Sequence, residues 1–210
     1  MKDGKTNLEK KNPFNERYED FKTFEKLLKR KTNQDDVPAA LEIKKNIPIY
    51  SGQLVRDYAN SSEKKQKLLT EWSNVFKSGA GIIAITNAIK SSSVIETATK
   101  KFEAIIKSEK INGNSGDHFA KPGANDRIWN SLQKHCMEDP QNFIDYYCSE
   151  IIALAAQSWL GPNYQITAQV NSVNPGGEAQ KPHRDYHLGF MSTEQSANFP
   201  PNVHTISQFL

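Results

Sequence analysis

Apolar residues recur at helical spacing in three stretches of this chain and at spacing two in a fourth, and these periods set the expected elements. Between Glu63 and Lys77, the residues Leu68, Leu69, Trp72, Val75 and Phe76 share one helical face, with caps available in Asn60 to Ser62. That amphipathic helix stops at Gly79-Ala80-Gly81, and Ile82 to Ile85 reads as a short buried strand. A second helix is predicted where Ser93 and Glu96 form a capping box ahead of the stripe Val94, Ile95, Ala98, Phe102, Ile105 and Ile106. Asn112 to Gly116 is a turn-rich break. A third helix opens on Asp139 and Pro140 and closes at Gly161-Pro162, with Phe143, Ile144, Tyr147, Ile151, Leu154 and Ala155 facing inward.

After Gly161 the period becomes two. Ile166, Ala168 and Val170 point one way, and Gln165, Thr167, Gln169 and Asn171 the other, as in a strand with one polar face. Pro175-Gly176-Gly177 makes a turn, and a second extended segment begins near Pro182. The expected order is helices first and strands last, an α+β chain.

The beginning is different. Half of residues 1–36 are charged, so this stretch reads as a mobile or loosely docked arm, with a short helix around Tyr18 to Lys31 where Phe21, Phe24 and Leu28 recur. Pro38 and Pro48 bracket an irregular connector, and residues 37–210 form the expected domain. The 210 residues carry a net charge of +3, of which residues 1–36 supply +2, so no basic face is implied and nucleic acid is not an expected partner. A mean hydropathy of −0.68 with no long apolar run gives no membrane-spanning helix and no expected membrane partner. Cys136 and Cys148 have no second pair for a zinc site and read as small buried hydrophobes in a reducing, cytoplasmic setting.

Chemistry concentrates in Lys181 to Phe190, KPHRDYHLGF. On an extended chain His183 and Asp185 project from one face with Cβ atoms roughly 6–7 Å apart, within reach of one metal ion. A third, distant His would complete a facial triad that leaves open positions on ferrous iron for a chelating cosubstrate and dioxygen. His187 lies roughly 13 Å from His183 along such a strand, too far to join without a bend. The tripeptide alone equally describes a surface His and Asp beside a turn. Its context, a Pro-Gly-Gly turn after a strand with a polar face, opens the pair onto a polar cavity.

The stretch QITAQVNSVNPGGEAQKPHRDYHLGF, Gln165 to Phe190, resembles the metal-binding strand pair of the phytanoyl-CoA hydroxylase-like dioxygenases, and GDHFAKPGANDRIW, Gly116 to Trp129, resembles a further segment of that family. The resemblance runs from about Glu63 onward. It implies a double-stranded β-helix, a jelly-roll or cupin-like barrel with N-terminal helices, and in its mouth Fe(II) held by His183 and Asp185 together with 2-oxoglutarate. The expected activity is hydroxylation of a small-molecule substrate with dioxygen. Gln169 and Asn171 are either cofactor-binding donors toward 2-oxoglutarate or the solvated face of an antiparallel sheet. His118 and Lys121 are the substrate-binding candidates, in a Gly/Pro-rich loop shared with Asn125 and Arg127 whose polarity an ordinary loop also explains. Trp129 and Trp159, at helical positions, are expected in the core.

The chain departs from the family pattern in one respect. The distal His and the basic partner of the far carboxylate of 2-oxoglutarate belong on strands well downstream, whereas only His204 follows His187, nineteen residues from Asp185. The expectation is therefore an incomplete barrel, C-terminally truncated. The rival reading is a non-catalytic relative acting as a binding or regulatory module, or a nonfunctional fragment; a zinc hydrolase ranks last for want of a nearby third ligand.

Overall fold

The computed structural model describes residues 21–113 and 120–178, which fall in two units, 21–31 and 32–178. The first holds helix α1 (Phe21–Leu28), whose Phe21, Phe24 and Leu28 are all exposed. The predicted start of this helix at Tyr18 lies outside the described residues, as do the second extended segment near Pro182 and most of the charged arm.

In the second unit the supposed connector between Pro38 and Pro48 is ordered. Strands β1 (Glu42–Lys44) and β2 (Ile47–Ser51) form an antiparallel hairpin, with Glu42 opposite Ile49 and Lys44 opposite Ile47. Its two turn residues, Lys45 and Asn46, have φ of 51° and 71°, the backbone that a two-residue hairpin turn requires. Thr32 reaches over to hold Asn46 by both its amide and its hydroxyl. Sequence reading misses this hairpin because Pro48, a strand breaker by type, is buried inside β2.

From β2 the chain turns at once into α2 (Gly52–Ala59), capped by the Ser51 hydroxyl, which accepts from the Leu54 amide. A Cβ on Gly52 would lie 2.4 Å from the Asn87 carbonyl oxygen and 2.7 Å from that of Thr86, so only glycine lets α2 begin against the end of β3. The amphipathic helix predicted from Glu63 forms as α3 (Ser62–Ser78), capped by Ser61. Strand β3 (Ala84–Thr86) then pairs parallel with β2, giving the sheet order β1-β2-β3. Strands therefore precede and interleave with the helices, contrary to the helix-first order expected.

Trp72 is the centre of the core: fully buried, it meets Tyr50 edge-on at 5.5 Å and packs with Val37, Val55, Leu68 and Val75, with Ile151 and Leu154 closing the other side. One polar group lies within that core. The Glu71 carboxylate accepts from the Tyr50 hydroxyl at 2.8 Å and from the Ala39 amide at 3.2 Å, tying α3 to the segment before β1. Burial raises the Glu71 carboxyl above its ordinary value, against the opposing pull of those two donors.

Helix α4 (Ser92–Ile111) is capped by Ser91, two residues before the predicted cap; the Ser91 hydroxyl accepts from the Ser93 amide. Strand β4 (Asn125–Ile128) and helix α5 (Ser131–Glu138) follow. Asp139 caps α6 (Pro140–Tyr147) as predicted, accepting from the Asn142 amide at 3.0 Å. The single helix expected from Pro140 to Leu160 is instead broken at Cys148 and Ser149, and Ser149 caps a new helix, α7 (Glu150–Leu160). The break leaves Ile144 half exposed and Cys148 exposed, and Cys136 is only partly buried, so neither free thiol is the buried hydrophobe expected.

Helices α4, α5 and α6 meet at His135, which is fully buried. Asn142 donates through Nδ2 to the Val94 carbonyl, which fixes its amide and makes His135 Nε2, 2.8 Å from Asn142 Oδ1, the protonated ring nitrogen. The rings of Phe102, Phe143, Tyr146 and Tyr147 enclose the imidazole at centroid distances of 4.9, 5.9, 5.9 and 5.8 Å. The last described strand, β5 (Val170–Val173), pairs antiparallel with β4. Among the described residues the strands thus make a three-stranded and a two-stranded sheet, and no closed barrel.

Candidate functional site

The β4–β5 ladder divides the candidate residues by face. Its register sets Arg127 opposite Asn171, Asp126 opposite Ser172 and Ile128 opposite Val170. Because side chains alternate across a strand, Arg127 and Asn171 share one face with Gln169, while Asp126, Ile128, Val170 and Ser172 share the other.

The second face belongs to structure. Ile128 is fully buried, Asp126 pairs with Lys110 of α4 at 2.7 Å, and Asn174 donates to the same carboxylate at 3.2 Å. A groove of about 400 Å³ opens here along α4, but its lysines, Lys107 and Lys110, stand beside Glu103 and Asp126, so the charge is balanced.

The first face is chemically different. Arg127 donates from one terminal guanidinium nitrogen to Gln169 Oε1 at 3.1 Å. Arginine can only donate, so the amide oxygen of Gln169 is its acceptor and the amide NH2 is left for another partner. Asn171 stands exposed beside this pair, directly across from Arg127. The Arg127 guanidinium carbon also lies 5.1 Å from the centre of the Trp129 ring. A guanidinium with two carboxamides is a donor set for an anion, and for a carboxylate above all. Gln169 and Asn171 come together as their alternation predicted. Arg127, which sequence reading credited to loop polarity, joins them because four residues of that loop are a strand; so short a strand carries almost no periodic signal.

The remaining candidates separate from this face. Lys121 pairs with Glu178 at 3.0 Å, with both side chains more than four-fifths exposed. It sits at the Asn125–Val173 end of the ladder, roughly 14 Å from Gln169 along the strand. His118, His183 and Asp185 lie outside the described residues. Among the described residues no three His, Cys, Asp or Glu side chains gather into a metal site. Trp129, expected at a helical core position, instead follows the end of β4, half-buried against Arg127.

A family model, phytanoyl-CoA dioxygenase (PhyH), matches residues 22–207. The chain belongs to this family. PhyH proteins are typically Fe(II)- and 2-oxoglutarate-dependent dioxygenases, and the anion-binding donor set on the β4–β5 ladder suits a dicarboxylate cosubstrate. The PhyH match takes in β4, β5 and the segment with His183 and Asp185. No curated protein and no solved structure matches the chain. As for membranes, none of the described helices is long and apolar enough to cross one.

Proposed function

We propose that this PhyH chain is an oxygenase that binds 2-oxoglutarate on the open face of the β4–β5 ladder and Fe(II) through His183 and Asp185. The observation that carries this reading is the Arg127–Gln169 pair opposite Asn171, three anion-facing polar side chains on one strand pair. The polypeptide from Asn174 leads away from that pair through the Pro175-Gly176 turn, and His183 follows Glu178 by five residues. The two strands form part of the wall of a double-stranded β-helix, with 2-oxoglutarate at its mouth.

Arg127 neutralises a carboxylate of 2-oxoglutarate, and the Gln169 and Asn171 amides fix its orientation by hydrogen bonds that a monoanion of another shape cannot satisfy together. When bound, the metal and cosubstrate supply oxidative decarboxylation of 2-oxoglutarate by dioxygen, coupled to hydroxylation of a substrate C–H bond. Substrate recognition falls to the loop carrying His118 and Lys121, where an acidic substrate group competes with Glu178 for the ammonium. The substrate is a small organic molecule.

Equilibrium binding tests the reading. Titration of the Fe(II)-loaded chain with 2-oxoglutarate under anaerobic conditions is expected to give a saturable isotherm that Arg127→Ala weakens by roughly tenfold to a hundredfold. An unchanged affinity in Arg127→Ala contradicts the assignment of this face.

A further inference from the structure

We propose that Trp129 is a positioning residue of this anion site, holding the Arg127 guanidinium flat beneath its indole so that the edge of the fork meets a carboxylate. The inference rests on the reading of the β4–β5 face as the 2-oxoglutarate site. Residues 127 and 129 are two apart at the end of β4, which puts both side chains on one side of the chain, and the guanidinium carbon lies 5.1 Å from the indole centre. A stacked ring occupies the face of a guanidinium and leaves its in-plane N–H groups clear, so stacking does not compete with a carboxylate.

The indole is itself fixed from both sides. Before it, Ile128 is fully buried. After it, Asn130 takes a left-handed conformation, φ 55°, that turns the chain directly into α5. The next residue, Ser131, is fully buried and donates its hydroxyl to the Ala168 carbonyl at 2.8 Å, one residue from Gln169. The same short segment therefore sets Trp129 and anchors the strand that carries the acceptor of Arg127. A long, flexible arginine is restrained by a stack on one side and the Gln169 hydrogen bond on its edge, and its ordering is complete before ligand arrives.

Two substitutions in the full chain separate the ring from its bulk. Trp129→Phe keeps an aromatic face, and Trp129→Leu keeps apolar volume without one. Affinity for 2-oxoglutarate, measured by anaerobic calorimetry of the Fe(II)-loaded protein, is expected to stay within about threefold of wild type in Trp129→Phe and to fall roughly tenfold in Trp129→Leu. A readout without ligand accompanies it: the Arg127 Nε–H proton resonance is shifted upfield by the ring in wild type and returns toward its ordinary position in Trp129→Leu. Wild-type affinity in Trp129→Leu, or an unshifted Arg127 resonance in wild type, overturns the positioning role. If Arg127→Ala also binds like wild type, or wild type does not bind, the underlying site assignment fails and the inference with it. If Arg127→Ala weakens binding while Trp129→Leu does not, only the role of Trp129 falls.

Discussion

Two residues show how single side chains set this fold. At Gly52 the missing Cβ is what allows α2 to start against the carbonyls of Thr86 and Asn87, so Gly52→Ala is expected to cost about 1–3 kcal/mol in urea unfolding as α2 or β3 shifts to relieve the contact. An unchanged midpoint would mean that this junction yields freely. At Glu71 burial raises the carboxyl above the ordinary value of 4.5, so the native state holds that proton more tightly than the unfolded chain does. Its stabilising contribution is fully present below that ordinary value and declines as pH rises through the raised one, the reverse of the usual surface carboxylate. Unfolding free energies measured between about pH 4 and pH 7 should therefore decline less with rising pH in Glu71→Gln than in wild type. A Gln variant with the full wild-type slope would place the titration elsewhere.

At the scale of elements, what was legible followed the strength of the local signal. The α3 stripe runs through Leu68, Leu69, Trp72 and Val75, all buried in the structure, and the Asp139-Pro140 start of α6 is where the residue types put it. Alternation from Ile166 to Asn171 correctly sorted Gln169 and Asn171 onto one polar face. Three features were beyond local reading. The β1–β2 hairpin contains a proline, β4 is four residues long, and the break between α6 and α7 places a serine cap where the apolar pattern continues without interruption. Each is decided by tertiary packing, which periodicity does not encode. The α4–α5–α6 junction is the clearest instance, because His135 is an unremarkable polar residue in sequence and the hub of three helices in space. Asn142→Ala removes both the acceptor of His135 Nε2–H and the donor to the Val94 carbonyl, leaving buried polar groups unsatisfied. A loss of about 1–3 kcal/mol is expected in chemical denaturation. A variant as stable as wild type would show that the aromatic rings alone hold the junction.

For the whole molecule, the fold places chemistry on one side of a two-stranded ladder and packing on the other. Lys110, Asp126, Ile128 and Asn174 bind the ladder to α4, which leaves Arg127, Gln169 and Asn171 on a face with no structural employment beyond the Arg127–Gln169 bond. Membership of the PhyH family gives that face an expected cosubstrate, and the proposed metal pair, His183 and Asp185, follows along the same chain. The most direct test is the visible absorption spectrum of the chain mixed anaerobically with Fe(II) and 2-oxoglutarate. The account predicts the charge-transfer band of an iron-bound 2-oxo acid, abolished by His183→Ala and by Asp185→Ala, whereas absence of the band in wild type, or its survival in either variant, would contradict it.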